Sequence, residues 1–144
     1  MARILAIDYG GKRTGLAVTD PLQIIATGLT GINSKDLIPF LKNYFIKESV
    51  ELIVIGMPKN WDDTDTHGTP LVKEIIKKLA KEFPAMPIKT VDERYTSKMA
   101  KDAMLEMGMK RKNRQNKKMV DEIAATIILQ EYLQSISLTR NTEG

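Results

Sequence analysis

The sequence predicts an α/β fold built on a five-stranded mixed sheet with helices on both of its faces. Two patterns carry this prediction. Residues 3–30 alternate short apolar runs with turn residues, which is typical of antiparallel strands joined by short turns. From residue 34 onward, apolar residues at helical spacing alternate with two more short apolar runs. The chain has no repeat and no long linker, so we expect a single domain over residues 1–144.

Three strands are predicted at the start of the chain. The first covers Arg3 to Ile7 and ends in the turn Asp8-Tyr9-Gly10-Gly11. The second covers about Thr14 to Thr19 and ends at Asp20-Pro21, and the third runs from about Ile24 to Thr30. Because the connections are short, these strands form an antiparallel meander.

The middle of the chain predicts two helices around a buried strand. The first helix starts at Ser34 or Asp36 and tolerates Pro39 in its first turn, where the missing N–H has no helical partner. A continuous apolar run at 52–55, closed by a glycine, is typical of a strand buried on both faces. The second helix has Thr69 as its N-cap and Pro70 as its first residue. Its predicted inner stripe is Leu71, Val72, Ile75, Ile76, Leu79 and Phe83.

The last third of the chain predicts one strand and two helices. The fifth strand covers Ile88 to Val91, and a helix from about Thr96 to Met107 ends at a glycine. A flexible basic loop at about 109–118 follows. The last helix runs from about Lys118 to Ser135, and the polar tail from Leu138 is expected to be disordered.

The composition excludes several classes of protein. The 144 residues are 42% apolar and 28% charged, which is the profile of a globular domain. The absence of cysteine excludes disulfides, a thiolate zinc site and a cysteine nucleophile. Residues 1–7 are too short for a signal peptide, and no apolar run approaches the ~18 residues of a membrane span. We therefore expect a cytoplasmic protein without a membrane partner.

The positive charge is concentrated in one segment. The net charge is +4 and the isoelectric point about 9.2, and residues 110–118 hold six basic side chains and no acid. Such a segment can neutralise the phosphates of a nucleic acid, or it can be a solvated loop. The charge alone does not decide between these two interpretations. The six candidate nucleic-acid contacts are Lys110, Arg111, Lys112, Arg114, Lys117 and Lys118.

Acidic residues stand at the ends of three predicted elements. Asp8 ends the first strand, Asp92 and Glu93 end the fifth, and Asp121 lies in the first turn of the last helix. If the first and fifth strands are neighbours and the last helix covers that edge, the carboxylates converge. Hard cations such as Mg²⁺ or Mn²⁺ prefer carboxylate ligands, and two cations about 4 Å apart can promote phosphodiester hydrolysis.

Each acid also has a structural explanation. Asp8 suits a turn, and Asp121 is favoured at a helix N-terminus. Glu93 can pair with Arg94 or with a surface lysine. Three acidic residues at the ends of elements, beside a basic loop, nevertheless favour a common metal site over three unrelated structural roles.

Four motifs resemble those of the YqgF (RuvX) family, in the family's order and over nearly the whole chain. They are IDYGGKRTGLAVTD at 7–20, IGMP at 55–58, VDERYTS at 91–97 and VDEIAATIILQEYL at 120–133. The segment 59–68 departs from the family, being more acidic and poorer in glycine, so no substrate contact is carried over to it.

This resemblance implies a ribonuclease H-like fold, related to the RuvC-type Holliday-junction resolvases. It implies a metal-dependent nuclease associated with maturation of the 5′ end of pre-16S ribosomal RNA. Carried over, the catalytic and metal-binding residues are Asp8, Glu93 and Asp121, while a share for Asp92 stays open. The cofactor is Mg²⁺ or Mn²⁺, and RNA is preferred over DNA, with pre-ribosomal particles as partners. We expect a monomer or a weak homodimer.

Three further basic residues lie within the motifs. Lys12 and Arg13 follow Asp8 and can hold the nucleic-acid backbone, or they can form a solvated turn. Arg94 can bind phosphate or can orient Asp8 or Asp92.

Other functions compete with RNA processing. The family's fold also admits a Holliday-junction resolvase, which normally needs a dimer. The opening motif resembles the phosphate loop of actin-like ATPases and sugar kinases, but those proteins need two such domains. A non-catalytic RNA- or ribosome-binding factor would use the basic loop while the acids are structural.

Overall fold

The computed structural model describes residues 2–58, 68–92 and 117–143, and the side chains of the last helix from Met119 to Ser137. These residues form a five-stranded sheet in the order β3-β2-β1-β4-β5. The strands are β1 (Arg3–Tyr9), β2 (Arg13–Thr19), β3 (Ala26–Asn33), β4 (Val50–Met57) and β5 (Ile88–Asp92). The pairs β1·β2 and β2·β3 are antiparallel, and β1·β4 and β4·β5 are parallel. The predicted mixed sheet is confirmed.

The helices of the described residues follow the predicted order. A 3₁₀ turn (Ser34–Asp36) leads into α1 (Leu37–Lys47), and α2 (Thr69–Glu82) and α3 (Lys117–Glu143) follow. None of these helices is both long enough and apolar enough to cross a membrane. The predicted helix at 96–107 and most of the predicted basic loop lie outside the described residues.

Two apolar clusters cover the two faces of the sheet. The first packs α1 and α2 against it, and its fully buried members include Leu5, Ile7, Leu16, Leu37, Leu41, Ile53, Ile55, Val72 and Leu79. The second packs α3 against the opposite face and includes Ile4, Ala6, Ala17, Val54, Ala125, Ile128 and Leu129. Alternate residues of β1 therefore serve opposite clusters, as the period of a strand requires. The prediction of helices on both faces is confirmed.

The connection between β2 and β3 is longer than predicted. Instead of a strand from Ile24, residues 20–25 form a turn, and β3 begins at Ala26. The Asp20 carboxylate organises this turn by accepting the backbone N–H groups of Leu22, Ile24 and Ile25 at 2.8–3.1 Å. These bonds, the one from Ile25 foremost, lower the pKa of Asp20.

The start of α2 also differs from the prediction. Gly68 occupies the N-cap position, and Thr69 is the first helical residue. The Thr69 hydroxyl donates to the Pro58 carbonyl at 2.6 Å, which fixes the start of the helix against the end of β4. Leu71, assigned to the inner stripe, is 40% exposed, because Val72, Ile75 and Leu79 already fill the face toward the sheet.

The last helix is longer than its apolar pattern indicates. The backbone is helical from Lys117 to Glu143, so the disordered tail predicted from Leu138 is not observed. The residues after Ser135 include neither proline nor glycine before Gly144, and nothing in them breaks a helix.

Glu131 on α3 makes the stability of the protein depend on pH. Burial raises its pKa, and the Asp92 carboxylate raises it further. A raised acid pKa means that the fold favours the protonated form, so this contribution is present below the unfolded pKa of about 4.3 and is lost at higher pH. Glu131→Gln should therefore be more stable than the wild type near pH 7, and the difference should vanish near pH 4.

Urea unfolding between pH 4 and pH 7.5 checks this prediction. The exposed Glu74→Gln on α2 is the matched control, since it removes the same charge from a basic protein. An advantage of Glu131→Gln that does not change with pH, or a loss of stability at pH 7, would contradict it.

Candidate metal centre

Asp8 lies near the carboxyl end of β1, on the face of the sheet that α3 covers. It is one strand period beyond Ile4 and Ala6, which pack in the cluster under α3. It is half-buried, and its partner in the antiparallel pairing with β2 is Gly15. The predicted position of Asp8 near the end of the first strand is confirmed, but the strand continues to Tyr9, so Asp8 lies in the strand and not in the predicted turn.

Gly15 allows the backbone of α3 to lie directly on β2. A Cβ atom at this position would stand 2.0 Å from the backbone oxygen of Asp121 and 2.5 Å from its carbonyl carbon. No side chain fits there. Since directly opposed Cα atoms of antiparallel strands are about 5 Å apart, the same contact brings Asp121 beside Asp8.

A second glycine extends this close approach along the helix. A Cβ atom on Gly28 of β3 would lie 3.1 Å from the Glu122 carboxylate and 3.3 Å from the Thr126 hydroxyl. The glycines of β2 and β3 thus seat the N-terminal half of α3 on the sheet. A glycine inside a strand commonly marks the close approach of another backbone, and this signal is present in the sequence at both positions.

The Asp121 carboxylate is held by Arg13. The Arg13 Nε donates a hydrogen bond to Asp121 Oδ2 at 3.0 Å, and a terminal guanidinium nitrogen forms an ion pair with the same oxygen at 2.9 Å. The two side chains are 34% and 22% exposed. The pair therefore fixes a carboxylate and a positive charge at the same edge of the sheet, within reach of solvent.

The turn that carries Lys12 and Arg13 is tied to the start of α1. The Gly10 N–H donates to the Arg13 carbonyl, and the Ser34 N–H donates to the Lys12 carbonyl, each at 2.9 Å. The Ser34 hydroxyl donates to the Gly10 carbonyl at 2.5 Å and also contacts the Thr14 hydroxyl at 2.8 Å. Lys12 itself is exposed, and its side chain can face a ligand.

Ser34→Ala should destabilise the protein by about 1–3 kcal/mol, because it leaves the buried Thr14 hydroxyl and the Gly10 carbonyl without this partner. Thr14→Val should cost less, since Ser34 keeps its bond to Gly10. Denaturant unfolding of both variants measures the difference. Equal stability of Ser34→Ala and the wild type would show that the hydroxyl pair does not hold the turn.

The condition that β1 and β5 are neighbours is not met. β4 lies between them, so β5 is two strand spacings, roughly 10 Å, from β1. Val91 is level with Asp8 and packs under α3, whereas Asp92 pairs with Met57 and is exposed. Strand alternation places Asp92 on the face of the sheet opposite Asp8, so β5 contributes no acid to this site from its described residues.

The remaining predicted site residues lie outside the part of the chain that the structure describes. Glu93, Arg94 and the basic residues 110–116 are not among the described residues, and the side chains of Lys117 and Lys118 are not described either. Within the described ranges, no group of three acidic or histidine side chains comes together to hold a metal. The structure thus brings together Asp8, Asp121 and Arg13, with Lys12 beside them.

This donor set fits a hard divalent cation. Two carboxylates from different elements lie at the same edge of the sheet, and carboxylate oxygens are the ligands that Mg²⁺ and Mn²⁺ prefer. The Asp121 carboxylate already binds one cationic group, the Arg13 guanidinium. Two carboxylates are also the usual protein contribution to Mg²⁺, whose remaining ligands are waters and substrate phosphates.

Known proteins match this chain over residues 2–135, which include Asp8, Arg13 and Asp121. The sequence profile of the family described as "RuvX: Holliday junction resolvase" matches residues 2–135. A protein of Christiangramia forsetii is 53% identical over 92% of this chain and 98% of its own length. One of Flavobacterium psychrophilum is 54% identical over 92% and 97%, and one of Bacteroides fragilis is 51% identical over 94% and 98%. All three carry the name "Putative pre-16S rRNA nuclease".

Among solved structures, the Thermus thermophilus ("T. thermophilus") RuvC in complex with a Holliday junction substrate shares the fold. It is 12% identical and superimposes with a TM-score of 0.53 over 94% of this chain and 96% of that one. The likeness confirms the predicted ribonuclease H-like architecture.

Proposed function

This chain belongs to the RuvX family, and on that premise we propose that it is a nuclease whose divalent cations are held by Asp8, Asp121 and Glu93. The observation that carries the proposal is the contact of α3 with Gly15, which brings Asp121 beside Asp8. Mg²⁺ and Mn²⁺ are the cations that suit this set. Glu93 is included because it stands in the motif VDERYTS at 91–97, which resembles a motif of the family.

The reaction is hydrolysis of a phosphodiester. When bound, two cations supply an activated water and neutralise charge on the leaving oxygen. In hydrolysis a water oxygen would form a bond to phosphorus as the bond to the leaving ribose oxygen breaks, and the proton that the water loses would balance the proton that the leaving oxygen gains. Asp8 and Asp121 hold the cationic charge at the sheet edge, while Arg13 and Lys12 hold the phosphate backbone.

RNA is the substrate that the relatives favour. Three relatives more than half identical to this chain are named for pre-16S rRNA, so we propose the 5′ end of that precursor, within pre-ribosomal particles in the cytoplasm. The basic segment 110–118 supplies further phosphate contacts, which position RNA without reading its sequence.

A Holliday-junction resolvase is the second candidate. The description of the matched family favours it, and so does the fold shared with RuvC. A resolvase cuts two strands and needs two sites facing each other, so it requires a homodimer. The monomer or weak homodimer that we expect favours the processing of a single strand.

Cleavage of end-labelled substrates separates these candidates. A pre-16S 5′-leader RNA, a short single-stranded RNA, linear DNA and a four-way junction are each incubated with Mg²⁺, with Mn²⁺ and with EDTA. We expect metal-dependent cleavage of the leader RNA. Cleavage of the junction alone would establish the resolvase. RNA binding without cleavage of any substrate would leave a non-catalytic binding factor.

A further inference from the structure

A pocket of about 190 Å³ opens at the sheet edge beside the Arg13–Asp121 ion pair. It is lined by Arg13, Gly31, Ile32, Asn33 and Asp36, from the start of β2, the end of β3 and the turn before α1. Arg13 belongs both to this pocket and to the ion pair with Asp121. A group bound in the pocket would therefore lie one side chain from the proposed metal ligand.

The polar side chains of this pocket are not used to cap helices. Asn33 is the N-cap of the 3₁₀ turn and Asp36 is the N-cap of α1, and neither side chain makes a capping hydrogen bond. Asn and Asp normally make that bond at this position, where it is worth about 1 kcal/mol. Both side chains are exposed, so their donors and acceptors can reach a ligand.

The walls of the pocket suit a flat, polar-edged ligand. Arg13 is held by its hydrogen bond and ion pair with Asp121, and a guanidinium plane is a common stacking surface for nucleobases. Gly31 pairs with Gly15 in the neighbouring strand and carries no side chain that would fill the space. Asn33 pairs with Arg13 in the same ladder, which places an amide beside the guanidinium.

We propose that this pocket binds a guanine of the RNA substrate, next to the phosphate that is cleaved. The Watson–Crick edge of guanine carries two adjacent donors, N1–H and N2–H, which match the two oxygens of the Asp36 carboxylate. Its O6 atom accepts from the Asn33 amide. Adenine presents an acceptor at N1, which would face the carboxylate unfavourably, and uracil offers one donor between two carbonyl oxygens. The inference rests on the proposed function, because it places the base at the scissile phosphate.

Binding in EDTA tests the pocket without cleavage. The probe is a labelled uridine-rich RNA with one guanine, compared with the same RNA carrying inosine or adenine at that position. We expect adenine to weaken binding to the wild type about tenfold, the effect of losing one bidentate base contact, and inosine to weaken it less. Asp36→Asn should abolish the preference, whereas the exposed Lys35→Ala, in the same turn, should weaken all three RNAs equally.

The outcomes distinguish this inference from the proposed function. Equal affinities of the wild type for the three RNAs would show that the pocket does not bind guanine, even if cleavage is observed. A guanine preference that depends on Asp36, in a protein that cleaves nothing, would support the pocket and contradict the nuclease. Free guanosine monophosphate should bind much more weakly than RNA, because it lacks the flanking phosphates. Comparable affinity would assign the pocket to a free nucleotide and overturn the RNA contact.

Discussion

Gly15→Ala should lower the rate of metal-dependent cleavage about 100-fold. The added Cβ would stand 2.0 Å from the backbone oxygen of Asp121, and neither partner is a flexible side chain that can turn away. The start of α3 must move off the sheet by more than 1 Å, and Asp121 moves with it, away from Asp8. A displacement of that size in a catalytic group costs about 100-fold in rate. Overpacking should also lower the stability by about 1–3 kcal/mol.

The controls separate misplacement from general damage to the fold. Gly11→Ala adds the same methyl group nearby, but its Cβ meets only the Leu71 side chain at 3.6 Å, an ordinary contact. This variant should cleave like the wild type. Gly28→Ala meets side chains of α3 at 3.1–3.3 Å and should have an intermediate effect. Full activity in a folded Gly15→Ala protein would show that the approach of α3 to β2 does not build the site.

Asp8→Asn and Asp121→Asn should each lower the cleavage rate by about 1,000-fold while RNA binding persists. Each change keeps the shape of the side chain and removes a negative oxygen from the proposed cation site. Cation-mediated stabilisation of the transition state is worth several kcal/mol, and each 1.36 kcal/mol corresponds to a factor of ten. Single-turnover cleavage of the leader RNA, with binding measured in EDTA, gives both quantities.

Glu122→Gln is the matched control for Asp121→Asn. It neutralises the next acid along α3, whose side chain lies over Gly28 of β3 rather than beside Asp8. It should retain the wild-type rate. Retained cleavage in Asp121→Asn, or an equal loss in Glu122→Gln, would mean that the position of Asp121 has no special role.

The strands were predictable because each is a short apolar run between turn residues. Their order was only partly predictable. The parallel pairing of β1 with β4 depends on long-range packing of α1 and α2, and no local pattern encodes that β4 separates β1 from β5. The assumption that β1 and β5 are adjacent failed for this reason. The register of β5 shows only that Asp92 lies on the face of the sheet opposite Asp8.

The site could be predicted in part from the sequence. Asp8 and Asp121 stand at element ends, and the motif resemblance joined them. The means of their approach was missed, although a glycine in the middle of a strand at position 15 was a usable signal. The Arg13–Asp121 pair joins residues 108 positions apart, which spacing cannot indicate. Asp36 was one of the two predicted starts of the first helix, and only the structure shows that the side chains of Asn33 and Asp36 make no capping hydrogen bond.

We propose that Asp8 and Asp121 together hold a divalent cation. Anomalous diffraction near the manganese absorption edge, from crystals soaked in Mn²⁺, locates any cation bound between the two carboxylates. We expect an anomalous peak within coordination distance, about 2.2 Å, of oxygens from both carboxylates. The peak should be lost in Asp8→Asn. Manganese bound elsewhere, or a site that persists unchanged in that variant, would contradict the claim.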